Sequence, residues 1–361
     1  MKVVSIVGAR PQFIKAAVVS RALRERHTEV LVHTGQHYDY QMSQIFFKEL
    51  DLPEPEVNLN VGSGMHGQQT GQMLAGLEPV LLTEQPDWVL VYGDTNSTLA
   101  GALAAAKLGL RVAHVEAGLR SFNRAMPEEI NRVVTDHLSD LLFCPGQTAV
   151  DNLAAEGIKQ GVHEVGDVMA DVLELAQERL RDDLAPPSGG SGGPLSEIMR
   201  RLGLTGQSYL LTTIHRAENT DHTSRLRNIL AAFDALQEPL IFPVHPRTRK
   251  AIEKLGYRPA PHVKLIEPVS YLDMVRLERS ARMILTDSGG IQKEAYWLGV
   301  PCITLRDETE WVETVRAGWN LLVGANTDSI IQAIRSFNPP DTHPILYGDG
   351  QAASRCVALL G

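Results

Sequence analysis

Residues 284–294, Ile284-Leu285-Thr286-Asp287-Ser288-Gly289-Gly290-Ile291-Gln292-Lys293-Glu294, carry an apolar run with strand character through Asp-Ser-Gly-Gly straight into a helical pattern. A buried strand that turns at once into a helix is the building unit of a parallel α/β sheet. The first N–H groups of such a helix lack intrahelical partners and carry partial positive charge. Two glycines let a ligand approach without a Cβ in the way. Ser288, Gly289 and Gly290 are therefore a candidate diphosphate seat, although the same residues would also serve as a plain small-residue cap. Glu294 is expected in the first turn, where its charge would repel phosphate and suit a neutral sugar hydroxyl such as that of a ribose.

The same alternation extends to both sides. Strands are expected at 3–7, 29–33, 88–92, 112–115 and 141–143, and again at 209–213, 240–243, 263–266, 283–286 and 302–304. Helices are expected between them at 11–24, 41–50, 68–82, 97–108, 127–137, 148–156 and 168–180, then at 224–236, 248–255, 271–280, 291–298 and 329–337. Near-continuous apolar strands alternating with amphipathic helices predict parallel sheets covered on both faces. The expected fold class is α/β, with two doubly wound Rossmann-like domains spanning 1–167 and 168–344, and with residues from about 345 to 361 returning to the first. The Pro/Gly/Ser stretch 186–194 reads as a loop inside the second domain, with the crossover near Gly166-Asp167. Ligands of open α/β sheets bind beyond the carboxyl ends of the strands, so two such domains facing one another would share a cleft there.

The bulk composition narrows the function. A chain of 361 residues with 43% hydrophobic and 21% charged residues is long enough for two full cores and ordinary for a globular protein. No apolar run is long enough to span a bilayer, and the chain enters a strand-like pattern from Met1 without a leader pattern. Cys144, Cys302 and Cys356 are odd in number and form no CxxC pair, which points to a reducing, cytoplasmic setting. Lys plus Arg number 34 against 43 Asp plus Glu, for a net charge of -9. That argues against nucleic acid or an anionic membrane as partner. An anionic ligand would then need cations concentrated at the strand ends.

The polar residues just past each strand carry the chemistry. After the first strand, Gly8-Ala9-Arg10-Pro11-Gln12-Phe13-Ile14-Lys15 matches neither the dinucleotide nor the Walker pattern. Pro11 suits a helix N1 position, which sets Arg10 at the helix entrance and Lys15 on its first turns. Asp94 and Glu116 follow two strands expected to be neighbours. Pro127 opens another helix, with Glu128 in its first turn and Arg132 four residues on. Helix-dipole and i,i+4 pairing would explain Glu128 and Arg132 as surface residues, but three carboxylates beside a phosphate seat suit acid–base chemistry on a sugar better. His215 follows a strand and could donate to phosphate or transfer a proton; His245 stands in a similar place. No metal-ligand spacing, nucleophile elbow or catalytic cysteine context is present in the sequence.

Taken in order, GARPQFIK (8–15), TGQHYDYQMSQ (34–44), YGDTNST (92–98), HVEAGLRS (114–121), MPEEINR (126–132), HRAEN (215–219), PVHP (243–246), TDSGGIQKEA (286–295), LGVP (298–301) and Tyr347-Gly348-Asp349-Gly350 resemble the motifs of the non-hydrolysing UDP-N-acetylglucosamine 2-epimerases. The resemblance implies a fold like that of GT-B glycosyltransferases, an active site in the interdomain cleft and a homodimer. It implies interconversion of UDP-GlcNAc and UDP-ManNAc by elimination and re-addition of UDP through 2-acetamidoglucal, with neither metal nor NAD. Asp94, Glu116 and Glu128 would be the acid–base carboxylates. Arg10, Lys15, Arg132, His215 and His245 would surround sugar and diphosphate, Ser288, Gly289 and Gly290 would hold phosphate oxygens, and Glu294 the ribose. Two departures stand out. Many members read Thr-Glu-Arg-Pro-Glu, with the Arg on the nucleotide, where this chain has Thr309-Glu310-Trp311-Val312-Glu313, and Arg306 is the candidate substitute. The spacing around 41–44 differs from that of bacterial members that bind a second, activating UDP-GlcNAc. Related enzymes epimerise UDP-2,3-diacetamido-glucuronic acid.

Overall fold

A computed structural model of the chain describes residues 1–36, 50–182, 197–204 and 208–361. These fall into two compact units, Met1–Leu175 with Tyr347–Gly361, and Ala176–Leu346. The first contains a seven-stranded sheet made of β1 (Lys2–Val7), β2 (Thr28–His33), β3 (Val57–Asn58), β4 (Trp88–Tyr92), β5 (Val112–Val115), β6 (Leu141–Cys144) and β7 (Val162–Glu164). The order is β3-β2-β1-β4-β5-β6-β7 and every pairing is parallel. Strand order reverses between β1 and β4, which is where an open sheet of this kind opens a crevice at its carboxyl edge.

β4 is buried at all five residues, because helices cover both faces of the sheet. On one face Val4, Ile6, Val89 and Val91 pack with Met73, Leu77 and Leu81 of helix His66–Glu84 and with Ala100 and Ala104 of helix Asn96–Lys107. Each large aliphatic side chain so buried contributes about 1.5–3 kcal/mol. Gly101 lets the second helix lie close, since a Cβ there would stand 2.9 Å from both Ile6 and Val91. The last helix, Ala352–Leu360, buries Ala352, Ala353, Cys356, Val357 and Leu360 in this first unit. Asp171 accepts N–H bonds from Ala352 at 3.1 Å and Ala353 at 2.9 Å, and the Trp88 indole donates to the Leu360 carbonyl at 3.1 Å.

The second unit holds β8 (Leu210–Thr213), β9 (Leu240–Pro243), β10 (Val263–Ile266), β11 (Met283–Thr286), β12 (Cys302–Thr304) and β13 (Asn320–Leu322). Their order is β10-β9-β8-β11-β12-β13, again all parallel, with the reversal between β8 and β11. Leu210, Leu285 and Ile303 face one apolar layer, and Leu211, Ile284 and Cys302 face the other. The period-two alternation of buried side chains accounts for both layers.

The expected α/β class with two Rossmann-like units holds. The sequence reading omitted β3, β7 and β13, which are edge strands of two or three residues. Too few of their residues are buried to leave an apolar run. Helices Glu197–Leu202, Ala217–Thr220, Val312–Arg316 and Ala352–Leu360 were also unexpected. The helix expected at 41–50, apart from Leu50, and the loop at 186–194 lie outside the described residues. Among the described residues no helix is long and apolar enough to cross a membrane.

Candidate active site

In the first unit the polar residues gather at the carboxyl ends of β1, β4 and β5. Ala9 is the N-cap of helix Arg10–Arg24, so Arg10 is its first residue and Pro11 its second, one place later than expected. Gln12 fixes this entrance. Its Oε1 accepts from the N–H groups of Gly8 at 2.8 Å and Ala9 at 3.0 Å, and its Nε2 donates to the Tyr92 carbonyl at 2.8 Å. Gly8 admits no side chain, because a Cβ would collide with the hydroxyls of Ser97 and Thr34.

Lys15 reaches across and forms an ion pair with Glu116, each side chain only 10% exposed. Glu116 adopts φ 72°, a left-handed conformation that costs a non-glycine residue about 1–3 kcal/mol. The neighbouring turn complements it: a Cβ on Gly93 would lie 3.3 Å from Glu116 Oε2 and 3.4 Å from Lys15 Nζ. Asp94 follows directly and is gripped by Arg132. The i,i+4 spacing allowed Arg132 a surface pair with Glu128, the alternative to a role at the sugar and diphosphate. Arg132 binds Asp94 and, at 3.1 Å, Glu129 instead, because its side chain turns inward and is almost wholly buried. Glu129 is fixed in turn by the N–H groups of Ser121 and Phe122, both at 2.9 Å. Glu128 stays partly exposed in the first turn of helix Pro127–Leu138.

A buried network underlies these loops, and the sequence reading missed it. His114 Nε2–H donates to the Gly93 carbonyl at 2.7 Å, and His114 Nδ1 lies 2.7 Å from Asp136 Oδ1. Asp136 Oδ2 accepts from the Gly118 N–H at 3.1 Å and from Arg120 at 2.7 Å, and Arg120 forms a two-bond fork with Glu156. Burial alone would raise the Asp136 carboxyl, yet His114 and Arg120 hold it below the usual carboxylate range. The i,i+22 spacing of His114 and Asp136 gives no signal to a linear reading.

Gly118 is confined as well: it has φ 79°, and a Cβ would strike the Ala149 carbonyl oxygen. Gly118→Ala is therefore expected to cost about 2–4 kcal/mol, the sum of a left-handed penalty and overpacking against backbone. A urea titration should show the midpoint falling with an unchanged slope.

In the second unit Asp287 directly follows β11 and is fully buried. It accepts from the N–H groups of His215 at 3.0 Å and Arg216 at 3.1 Å, and from Asn219 Nδ2 at 3.1 Å. One carboxylate thus shapes the whole turn after β8 and aims His215. The His215 side chain remains 39% exposed, with its ring 6.0 Å from that of His245, the N-cap of helix Pro246–Leu255. Ser288 occupies the N-cap position of helix Gly289–Trp297 without a side-chain capping bond, which makes Gly289 and Gly290 the first two helical residues. Nothing acidic stands in the first turn. Glu294 accordingly lies in the second turn, a correction that follows from the helix starting at Gly289 and not at Ile291. The Tyr271 hydroxyl donates to Glu294 at 2.9 Å.

The loop after β12 leans on this helix start. A Cβ on Gly289 would sit 3.0 Å from the Trp311 indole nitrogen and 3.2 Å from Glu310 Oε1. Glu310 gathers two guanidinium groups, Arg306 at 2.9 Å and Arg216 at 3.4 Å. Arg306 is 1% exposed and so acts from within the wall. Trp311 serves as a platform: the Lys293 ammonium lies 3.7 Å over its ring. Partly exposed Arg216 and the buried Arg306 and Lys293 bring positive charge to the wall behind this helix N-terminus, offset in part by Glu310.

The two units therefore offer different chemistry. The first presents carboxylates paired with Lys15 and Arg132, suited to proton transfer; the second presents donors and cations suited to a phosphate group. Comparison with known proteins gives the chain's relatives. The family model described as UDP-N-acetylglucosamine 2-epimerase matches residues 21–361. A UDP-N-acetylglucosamine 2-epimerase homolog of Methanococcus maripaludis is 53% identical, across 100% of this chain and 99% of its own length. The UDP-2,3-diacetamido-2,3-dideoxy-D-glucuronate 2-epimerase of Pseudomonas aeruginosa is 49% identical over the same shares. The crystal structure of Methanocaldococcus jannaschii UDP-GlcNAc 2-epimerase in complex with UDP-GlcNAc and UDP superposes with a TM-score of 0.91 at 44% identity, covering 100% of this chain and 99% of that one.

Proposed function

This chain belongs to the UDP-N-acetylglucosamine 2-epimerase family, and from that premise we propose that it interconverts UDP-N-acetylglucosamine and UDP-N-acetylmannosamine without hydrolysis. The C2 hydrogen of a hexosamine is not adjacent to a carbonyl, so direct abstraction is unfavourable. Elimination avoids that difficulty. A carboxylate removes the C2 proton as the C1–O bond to UDP breaks, which gives 2-acetamidoglucal. UDP then adds back to C1 while a proton is delivered to the other face of C2.

The observation that carries this reading is the pair of ionic contacts, Lys15–Glu116 and Arg132–Asp94, at the ends of β5 and β4, which are neighbours in the sheet. Asp94, Glu116 and Glu128 are the acid–base groups in this scheme, and Arg10, Lys15 and Arg132 hold the sugar and diphosphate. Ser288, Gly289 and Gly290 with His215, His245 and Arg306 stabilise the departing diphosphate, and Glu294 takes the ribose. The same reading includes a homodimer in the cytoplasm that supplies N-acetylmannosamine-type precursors for surface polysaccharide.

One observation favours a second substrate. The Pseudomonas relative, named for UDP-2,3-diacetamido-2,3-dideoxy-D-glucuronate, is 49% identical along the full length. Incubation of the protein with each nucleotide sugar in D2O, followed by NMR, tests both. The expected result is deuterium at C2 of both epimers of the true substrate. Interconversion without exchange would refute the elimination, and free N-acetylmannosamine with irreversible UDP release would make the enzyme a hydrolase.

A further inference from the structure

We infer that His114 and Asp136 are positioning residues that hold both acid–base loops of the first unit in register from beneath; the inference rests on the reading of Asp94 and Glu116 as the proton-transfer groups. His114 lies on β5 and is fully buried, and neither it nor Asp136 reaches a surface where substrate could touch it. The Gly93 carbonyl that it binds at 2.7 Å belongs to the peptide immediately before Asp94. Glu116 stands two residues beyond His114 on the same strand end, in a strained left-handed conformation that surrounding contacts must over-determine. One of those contacts is the 3.1 Å bond from the Gly118 N–H to Asp136. Asp136 itself lies on helix Pro127–Leu138, which carries Glu128 and Arg132. A single carboxylate and a single imidazole therefore link the turn after β4, the turn after β5 and the helix that supplies the third acid.

The hydrogen bonds also fix the ring. The Gly93 carbonyl can only accept, so it takes the Nε2–H of His114, while Nδ1 lies 2.7 Å from Asp136 Oδ1 on the opposite side. Asp136 faces both this imidazole and Arg120, and Arg120 in turn faces Glu156. Charged or titratable groups around the network include Cys144 on β6, whose thiol burial pushes up, His137 beside Glu156, the Lys15–Glu116 pair beside Gly93, and the Arg132–Asp94 pair.

The variants His114→Asn and Asp136→Asn test this in the full chain, with UDP-GlcNAc as substrate and UDP as binding probe. The expected result is a kcat at least about tenfold lower, with KM and UDP affinity within about twofold of wild type, because loops displaced by fractions of an ångström lose proton transfer before they lose binding. A folded variant with wild-type kcat, or one in which KM rises and UDP affinity falls as far as kcat does, overturns the inference. Loss of folding in both variants also overturns it, by making the network a structural brace alone. Absence of C2 exchange in the wild-type protein would instead refute the epimerase reading, so the two failures are distinct.

Discussion

Asp94→Asn is expected to lower turnover by about 10²–10⁴-fold while UDP binding changes by less than about twofold. The substitution keeps the shape and one hydrogen-bond acceptor but removes the group that can exchange a proton. Asp94 is partly open, with a side chain 31% exposed, and it is held from below by Arg132 and through its backbone carbonyl by Asn131 at 3.0 Å. The asparagine can keep its place against the guanidinium, so the loop should stay where it is. Turnover and C2 exchange in D2O should fall together, with calorimetric UDP affinity preserved. A variant with wild-type exchange would remove Asp94 from the acid–base set, and a large loss of UDP affinity would assign it to binding.

Asp287→Ala is expected to act on the other unit and by another route. It should weaken UDP binding by at least about 100-fold and destabilise the protein by about 2–4 kcal/mol. The cost follows from the donors left behind. The N–H groups of His215 and Arg216 and the amide of Asn219 all converge on this one buried carboxylate, and each buried donor that loses its acceptor costs about 1–3 kcal/mol, less where water can reach it. His215 would then lose its aim and the turn after β8 its shape. Thermal unfolding and UDP calorimetry on the same sample check both parts. Unchanged UDP affinity in a destabilised protein would separate the Asp287 turn from nucleotide binding.

The architecture was legible where burial leaves a pattern. Both sheets are built from central strands that are apolar on two faces, and β4, β5, β9, β10, β11 and β12 begin and end where the alternation predicts. Edge strands of two or three residues such as β3 bury too little to leave such a trace, unlike the four-residue edge strand β10. Strand ends were legible too, since Asp94, Glu116, His215 and Ser288 each stand just past a strand. Their partners were not. Pairings such as Lys15 with Glu116, 101 residues apart, or His215 with Asp287, exist only once the sheet order is fixed. Arg132 shows the limit of local rules. An i,i+4 spacing offers Glu128, but a side chain drawn into the interior meets Glu129 and Asp94. Trp311 was noticed only as a departure from a motif, whereas its position over Lys293 and against Gly289 gives it a packing role of its own.

The return of helix Ala352–Leu360 to the first unit has a consequence for biosynthesis. On a ribosome adding about 5–20 residues per second, Ala176–Leu346 is translated in full before that helix is made. Until then the indole N–H of Trp88 and the carboxylate of Asp171 lack the partners that the helix supplies. The earlier-translated half of the molecule is thus completed only by the last residues of the chain, and a protein truncated before residue 352 should be cleaved more readily in its first unit than the full chain.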